Sequence, residues 1–366
     1  DPQKHIHTSL EGTLSFDALL FIPSHLPYNF YSSEYQSGLQ LYSRGVYILD
    51  NAKELIPEAF RFVKGLVDSP DLTLNISREM LQHDRQLKAI ASRIEKKIKS
   101  ELLLMLKNER EQYETFWKNF GLQLKYGTYA NFGEKRELLE DLLLFTSSHE
   151  KKLVSLEEYI ARMPEDQKEI YYISGESVDK CDLLPQTEFI KDKGYEILYL
   201  TDDVDEFVLQ ILMQYKENPF KSITQGQLDD LATEEEKEAL KEKSEASKDI
   251  LTKLKEMLKD QVSDVRLTNR LKNHPVCLVA DEGISLEMEK ILAQMPDQSN
   301  AAKAKRILEL NADHPLVQAL EKASDEKLSD YAKLLYNQAL LIEGFSIDDP
   351  VEFSRVLSQL MIDASK

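Results

Sequence analysis

The sequence predicts a multidomain protein of mixed α/β and α+β class, in which two α/β units joined by helices precede a mixed α/β C-terminal domain. Three observations predict this class. The chain has 366 residues, enough for two or three domains. Short runs with strand periodicity alternate with long runs of helical periodicity. Two amphipathic helices close the chain, over about 324–343 and 350–362.

The first segment has the pattern of a β-sheet. Residues 5–10 and 13–22 read as strands on either side of Glu11-Gly12, which indicates a hairpin. Residues 41–48 are expected to form one further strand and 63–67 another. A short helix is expected to open at Pro57, a position that a first helical turn tolerates.

Helices dominate the next part of the chain. Apolar residues recur at helical spacing over about 77–120, and 137–145 reads as a further helix. Strand patterns at 170–173 and 195–200 flank a helical region, which predicts a small parallel sheet. Two more helices are expected, an apolar one at 204–215 and a charged one at 233–260 whose charges indicate a solvated face.

The composition excludes several classes of function. Hydrophobic residues make up 42% of the chain and charged residues 30%, as in ordinary globular proteins. The net charge of −19 argues against nucleic acid and anionic membranes as partners, because both attract basic surfaces. Two separated cysteines, Cys181 and Cys277, fit a reducing compartment, and a cytoplasmic location is expected.

The sequence contains no complete catalytic or metal-binding motif. The seven histidines are scattered, and neither HExxH nor a glycine-rich phosphate loop occurs, so no metal site is predicted. An enzyme that uses the strand ends of the second α/β unit is one alternative, and it would need a convergent polar pocket near Gly175. The other alternative is an interaction module, a constitutive dimeric scaffold that has no specificity for particular bound proteins (clients).

One segment, 74–82, carries an unusual charge. Ser77 suits a helix N-cap and Glu79 suits the positive end of the helix dipole, but Arg78 opposes that dipole. The simpler interpretation is an ion pair between Arg78 and a nearby acid. The functional interpretation is an anion sensor, whose guanidinium reaches a phosphate supplied by another domain.

The sequence FVKGLVDSPDLTLNISREMLQ at 62–82 closely resembles the middle-domain signature of the Hsp90 family of molecular chaperones, in its bacterial HtpG form. Further blocks of the family follow in its order over essentially the whole chain: LEG at 10–12, ALLFIP at 18–23, VRLTNRL at 265–271, ILELN at 307–311 and YNQALL at 336–341. Several long blocks in one order are far more specific than any single short motif.

The resemblance implies three domains. Residues 1–145 correspond to the larger α/β part of the middle domain with its helical connector, 146–217 to the smaller α/β part, and 218–366 to the C-terminal dimerisation domain. The family's ATP-binding N-terminal domain is expected to be absent, so the fragment by itself is expected to be no enzyme. ATP and magnesium are the implied cofactors of the full-length ATPase, and none is implied for the fragment.

The implied function is ATP-dependent folding and remodelling of non-native client proteins in the stress response. In the family, the arginine that matches Arg78 lies on a catalytic loop and reaches the γ-phosphate held by the N-terminal domain. The positions that match Asn75 and Gln82 support that catalytic loop. Client contacts are implied at Phe207 and on a short amphipathic helix over 283–292, whose apolar positions are Ile284, Met288, Ile291 and Leu292. An ordinary core-facing helix is the simpler interpretation of that spacing.

A homodimer through the last two helices is expected, because a soluble monomer rarely exposes so much apolar surface. The resemblance implies a four-helix interface, and the residues expected in it are Leu334, Leu335, Ile342, Phe353, Leu357 and Leu360. The alternative is that both stripes pack only on their own domain. The expected partners are therefore a second copy, client proteins and the N-terminal ATPase domain, without nucleic acid or membrane.

Overall fold

The structure is a computed structural model that describes residues 2–72, 84–226, 228, 231–294 and 302–365. The chain divides into two compact units. The first comprises 1–145, 153–161 and 207–217, and the second comprises 146–152, 162–206 and 218–366. Mixed sheets with helices confirm the predicted fold class. The three domains implied by the resemblance divide the chain differently and stay a prediction.

A five-stranded sheet forms the base of the first unit. Its strands are β1 (Pro2–Leu10), β2 (Phe16–Pro23), β3 (Leu39–Ser43), β4 (Val46–Ala52) and β5 (Lys64–Asp68). Their order is β1-β2-β5-β3-β4. β1 and β2 form the predicted antiparallel hairpin, with Ile6 opposite Leu20. Alternate residues of β2 are buried, as expected for a strand that packs one face on a core.

The single strand predicted over 41–48 is wrong. β3 and β4 form an antiparallel hairpin there, with Arg44 and Gly45 at the turn. Their φ angles of 52° and 74° are both left-handed, which a type I′ turn requires. Gly45 adopts this conformation at little cost, and Arg44 is the less usual residue in it.

Two long helices follow, α1 (Arg85–Asn108) and α2 (Arg110–Gly133). The continuous helix predicted over 77–120 is therefore interrupted at Glu109, whose φ of −134° and ψ of 52° are not helical. The side chain of Asp84 caps α1 by accepting a hydrogen bond of 2.9 Å from the Leu87 amide. The predicted N-cap, Ser77, lies outside the described residues.

The middle of the chain alternates short strands and helices. In chain order these are α3 (Arg136–Leu139), β6 (Leu144–Ser147), β7 (Leu153–Ser155), α4 (Leu156–Arg162), β8 (Ile170–Ser174), α5 (Val178–Leu183), α6 (Thr187–Asp192), β9 (Ile197–Leu200), α7 (Asp205–Leu212), β10 (Gln214–Tyr215) and β11 (Asn218–Ser222). The helix predicted over 137–145 is thus too long, since its last residues belong to β6. β8 and β9 run parallel, with Tyr172 opposite Leu198, which confirms the predicted parallel pair.

The rest of the second unit is a small sheet covered by helices. Its elements are α8 (Glu234–Ala246), α9 (Lys248–Met257), β12 (Asp264–Thr268), β13 (Val276–Ala280), α10 (Leu286–Gln294), β14 (Arg306–Asn311), α11 (Pro315–Glu321), α12 (Asp325–Ile342) and α13 (Pro350–Ala364). The strand order is β12-β14-β13. The charged helix predicted over 233–260 is divided at Ser247. Both predicted terminal helices are confirmed as α12 and α13.

Candidate functional site

The residues expected to support ATP hydrolysis are Asn75, Arg78 and Gln82. All three lie outside the described residues, so their role stays a prediction. Across the ranges that the structure describes, no group of three or more His, Cys, Asp and Glu side chains could hold a metal ion. No helix in those ranges is long and apolar enough to span a bilayer.

Phe207 lies on α7 in the first unit and is half-buried. Its ring packs edge-on against Tyr129 of α2, with ring centroids 5.6 Å apart. Gly133 permits the end of α2 to meet α7, because a Cβ there would lie 2.4 Å from Cγ2 of Ile211. Phe207 was predicted from the resemblance, whereas its aromatic neighbour Tyr129 was not.

Two exposed apolar side chains lie at the same helix ends. Phe132, next to Gly133, is 95% exposed, and Met213, directly after α7, is 70% exposed. Both have left-handed backbone, with φ of 56° and 63°, which bulky residues rarely adopt. Neither residue was predicted as part of a site, although the aromatic run YGTYANF at 126–132 was a visible signal.

The predicted client helix is α10 in the second unit, and it begins at Leu286 rather than at Gly283. Ser285 caps it, since its Oγ accepts a hydrogen bond of 2.9 Å from the Met288 amide. Met288 is only 6% exposed in the described chain, and its contact with clients stays a prediction. The neighbouring Glu289 is also buried and forms an ion pair of 2.7 Å with Arg306 of β14.

The remaining residues of the predicted client surface are half-buried. They are Ile284, Ile291 and Leu292. Ile284 precedes α10 and therefore does not share a helical face with the other two. Their contact with clients stays a prediction.

The terminal helices divide the predicted dimer residues into two groups. Leu335 belongs to the core of the second unit, and Ile342 packs against a second cluster around β8 and β9. Both therefore pack at least partly on their own unit, and their position in an interface stays a prediction. The other predicted interface residues are at least partly accessible to a partner. Leu334, Phe353 and Leu360 are half-buried, and Leu357 is exposed.

α13 carries further exposed apolar residues. They are Val351, Met361 and Ile362, together with the predicted Leu357. Only Val356 of this helix is buried. A helix with one buried residue and several exposed apolar ones has a face that nothing in the described chain covers. Val351 and Ile362 were not predicted as interface residues, although both lie in the predicted final helix.

The enzyme alternative required a polar pocket near Gly175, and a cavity of about 520 Å³ does lie beside it. The ionisable residues in its lining include Cys181, Glu287, Lys290 and Glu343. Burial raises the pKa of the Cys181 thiol to about 12. This thiol therefore stays protonated at neutral pH and gives the cavity no activated nucleophile.

Glu343 is the C-terminal cap of α12 and lines that cavity. Its pKa is strongly shifted from the ordinary value. Its carboxylate accepts a short hydrogen bond from the buried amide of Gln186. Burial raises the pKa of Glu343 to about 7, against the opposing effects of this hydrogen bond and of the Lys290 charge. The C-terminal end of a helix dipole also disfavours an anion at this position.

The described residues thus include a protonatable carboxyl in the core and several exposed apolar faces. The sequence of the chain was also compared with known proteins. The model of the family described as Hsp90 protein matches residues 1–365. Chaperone protein HtpG of Bacillus subtilis (strain 168) is 54% identical over 364 residues, which are 99% of this chain and 58% of that protein. Chaperone protein HtpG of Alkaliphilus metalliredigens (strain QYMF) is 55% identical over 365 residues, covering 98% and 58%. The chain thus spans less than two-thirds of the length of the relatives that it matches. Because the family model matches nearly all of its residues, the chain belongs to the Hsp90 family.

Proposed function

We propose that the chain is part of an ATP-driven chaperone that binds and remodels non-native proteins as a homodimer. In this proposal the chain supplies the client-binding surface, the dimer interface and the arginine that supports ATP hydrolysis in an N-terminal domain. The relatives that share more than half of its residues are named chaperone proteins. One structural observation carries the client-binding part: apolar and aromatic side chains are exposed where α2 meets α7.

Non-native proteins expose apolar segments of many shapes, so a surface that binds them must be apolar and adaptable. Phe132 and Met213 are exposed, and Phe207 is held by its edge-on contact with Tyr129. A left-handed backbone at a bulky residue costs roughly 1–3 kcal/mol, and such strain clusters at binding sites. Methionine suits this role because its thioether side chain is flexible and polarisable.

In the second unit, Ile291 and Leu292 supply the proposed client contacts of α10. Both are half-buried on a short helix that Ser285 caps and the Glu289–Arg306 pair holds in place. A rigid helix that presents partly exposed apolar side chains loses little conformational entropy when a client binds. Met288 stabilises α10 from inside and is not part of the proposed contact surface.

Ile291→Asp is expected to weaken binding of a fluorescently labelled, permanently unfolded model protein by about tenfold, because interface residues of this kind contribute about 1–2 kcal/mol. Its melting temperature should change little, because Ile291 is partly exposed. Met288→Asp is the matched control, and its main effect should be a lower melting temperature, since a charge buried without a partner costs several kcal/mol. Fluorescence anisotropy and calorimetry measure the two quantities. Unchanged client affinity in folded Ile291→Asp would remove α10 from the proposed surface.

Arg78→Ala is expected to lower ATP hydrolysis by the full-length protein about 100-fold or more, because an arginine that stabilises charge in phosphoryl transfer contributes at least that much. The same substitution should leave the thermal unfolding of the present chain unchanged. Steady-state phosphate release measures the first effect and calorimetry the second. Wild-type turnover by the full-length variant would contradict the proposed role of Arg78.

A further inference from the structure

A polar cleft of about 480 Å³ lies in the first unit, between the loop that precedes β3 and the short helical turns after β4. We call it the serine cleft, because Ser32, Ser33 and Ser37 line it together with Lys53 and Arg61. Its volume is within the range of about 300–1,000 Å³ that is usual for small-molecule sites. None of its residues belongs to the proposed client-binding surface, to the terminal helices α12 and α13, or to the segment 74–82 that carries Arg78.

Arg61 is held rigidly on one side of this cleft. Its guanidinium lies 5.3 Å from the ring centroid of Phe30 and 5.0 Å from that of Tyr35. Its Nη1 donates a hydrogen bond of 2.7 Å to Glu58. Its Nε is buried and has no hydrogen-bond partner among the described residues. A rigid guanidinium that lines a cleft is prepared to bind an oxyanion, whose oxygens match its forked geometry.

The charge around Arg61 is not balanced within this part of the structure. Lys53 and Arg61 line the cleft against a single acid, Glu58. Lys64 lies on the same aromatic cluster, with its Nζ 4.6 Å from the ring centroid of Tyr35. Burial, and then the charge of Arg61, lower the pKa of Lys64. An acidic chain with a net charge of −19 thus keeps an excess of positive charge at one polar cleft.

Hydroxyl groups supply the remaining donors. Ser37 is buried and Ser33 is exposed, and both line the cleft. Hydroxyls can rotate to donate towards an oxygen, which makes serine a frequent partner of phosphate groups. Donors from the loop, from Lys53 and from Arg61 come from three separate segments, an arrangement that suits a tetrahedral anion. Tyr31, about half exposed, offers an aromatic surface beside them.

We propose that the serine cleft binds the phosphoryl group of a small phosphate compound, either inorganic phosphate or a phosphomonoester. Arg61 and Lys53 supply the positive charge, and Ser33 and Ser37 supply neutral donors. Glu58 keeps Arg61 oriented through Nη1. A phosphomonoester would add contact between its organic group and Tyr31.

The test uses the purified 366-residue chain at near-physiological ionic strength, where salt screens nonspecific attraction beyond about 8 Å. Inorganic phosphate and phenyl phosphate are titrated separately, and binding is followed by calorimetry and by hydrogen exchange of peptides that cover 31–61. We expect slower exchange there with at least one of the two probes. Equal affinity for both identifies the free ion as sufficient, and tighter binding of phenyl phosphate identifies an ester.

Variants decide whether the named residues bind the anion. Lys53→Gln changes an exposed side chain and is expected to weaken binding about three- to tenfold, the loss of one charge-assisted hydrogen bond. Arg61→Lys keeps the charge but removes the fork and should weaken binding similarly. Lys118→Gln, an exposed lysine on α2 of the same unit, is the matched control and should have no effect. Absence of binding by both probes, or affinity that Lys53→Gln leaves unchanged, overturns the proposal.

Discussion

Leu357→Asp is expected to convert the proposed homodimer into a monomer whose far-ultraviolet circular dichroism is unchanged. Leu357 is exposed on α13 beside other exposed apolar residues, and only Val356 of that helix is buried. In a two-fold dimer each substitution acts twice, so two carboxylates would enter an apolar interface. A loss of about 4 kcal/mol corresponds to a dissociation constant raised about 1,000-fold. Light scattering at micromolar concentration measures the change.

Leu335→Asp is the matched control for that experiment. Leu335 lies in the core of the second unit, with Leu308 and Tyr336 in the same cluster. A carboxylate there would lack a partner, so the variant is expected to unfold its unit rather than to dissociate a folded dimer. For the same reason deletion of 324–366, which removes α12 as well, tests folding more than dimerisation. A folded Leu357→Asp chain that still scatters as a dimer would place the interface elsewhere.

Glu343→Gln is expected to stabilise the chain by up to about 3 kcal/mol at pH 8. Burial raises the pKa of Glu343 from 4.5 to about 7, and one unit of pKa shift corresponds to about 1.4 kcal/mol. Glutamine keeps an acceptor for the Gln186 amide. It also adds a donor near the Oε1 of Gln186, which is buried without a partner in the described structure. The variant therefore removes the cost of a buried charge and adds a hydrogen bond.

The pH dependence of that gain has a definite sign. Between about pH 4.5 and 7 the unfolded carboxyl has released its proton while the folded one retains it. The native state then binds more protons, so the contribution of Glu343 to stability falls as pH rises through this window. The gain from Glu343→Gln should therefore be small near pH 4 and reach its full value above about pH 7.

Thermal or urea unfolding at several pH values measures this dependence. Glu326→Gln replaces an exposed acid on the same helix and should change stability by less than about 0.5 kcal/mol at each pH. A gain from Glu343→Gln that is equally large at pH 4 and at pH 8 would show that the added hydrogen bond, and not the charge, accounts for it.

Local sequence patterns predicted the elements that depend on neighbouring residues. The β1–β2 hairpin, the parallel β8–β9 pair and the two terminal helices follow from alternation and helical spacing, which act within one element. The interruptions of a helix and of a strand were not predicted where they depend on one or two backbone positions. Glu109 ends α1 and the Arg44-Gly45 turn divides a strand pattern, and periodicity is insensitive to either.

The fold class and the family could be predicted from the amino-acid sequence, because long ordered blocks of residues carry both. Which apolar residues are buried became clear from the three-dimensional packing alone. Leu334 and Leu335 are adjacent and equally apolar, yet Leu335 is in the core and Leu334 is half-buried. On α10, Met288 and Glu289 are buried, whereas the nearby Ile291 and Leu292 are half-buried. A helical stripe fixes which residues share a face, but the face that meets the core depends on contacts with distant strands and helices, which local periodicity does not encode.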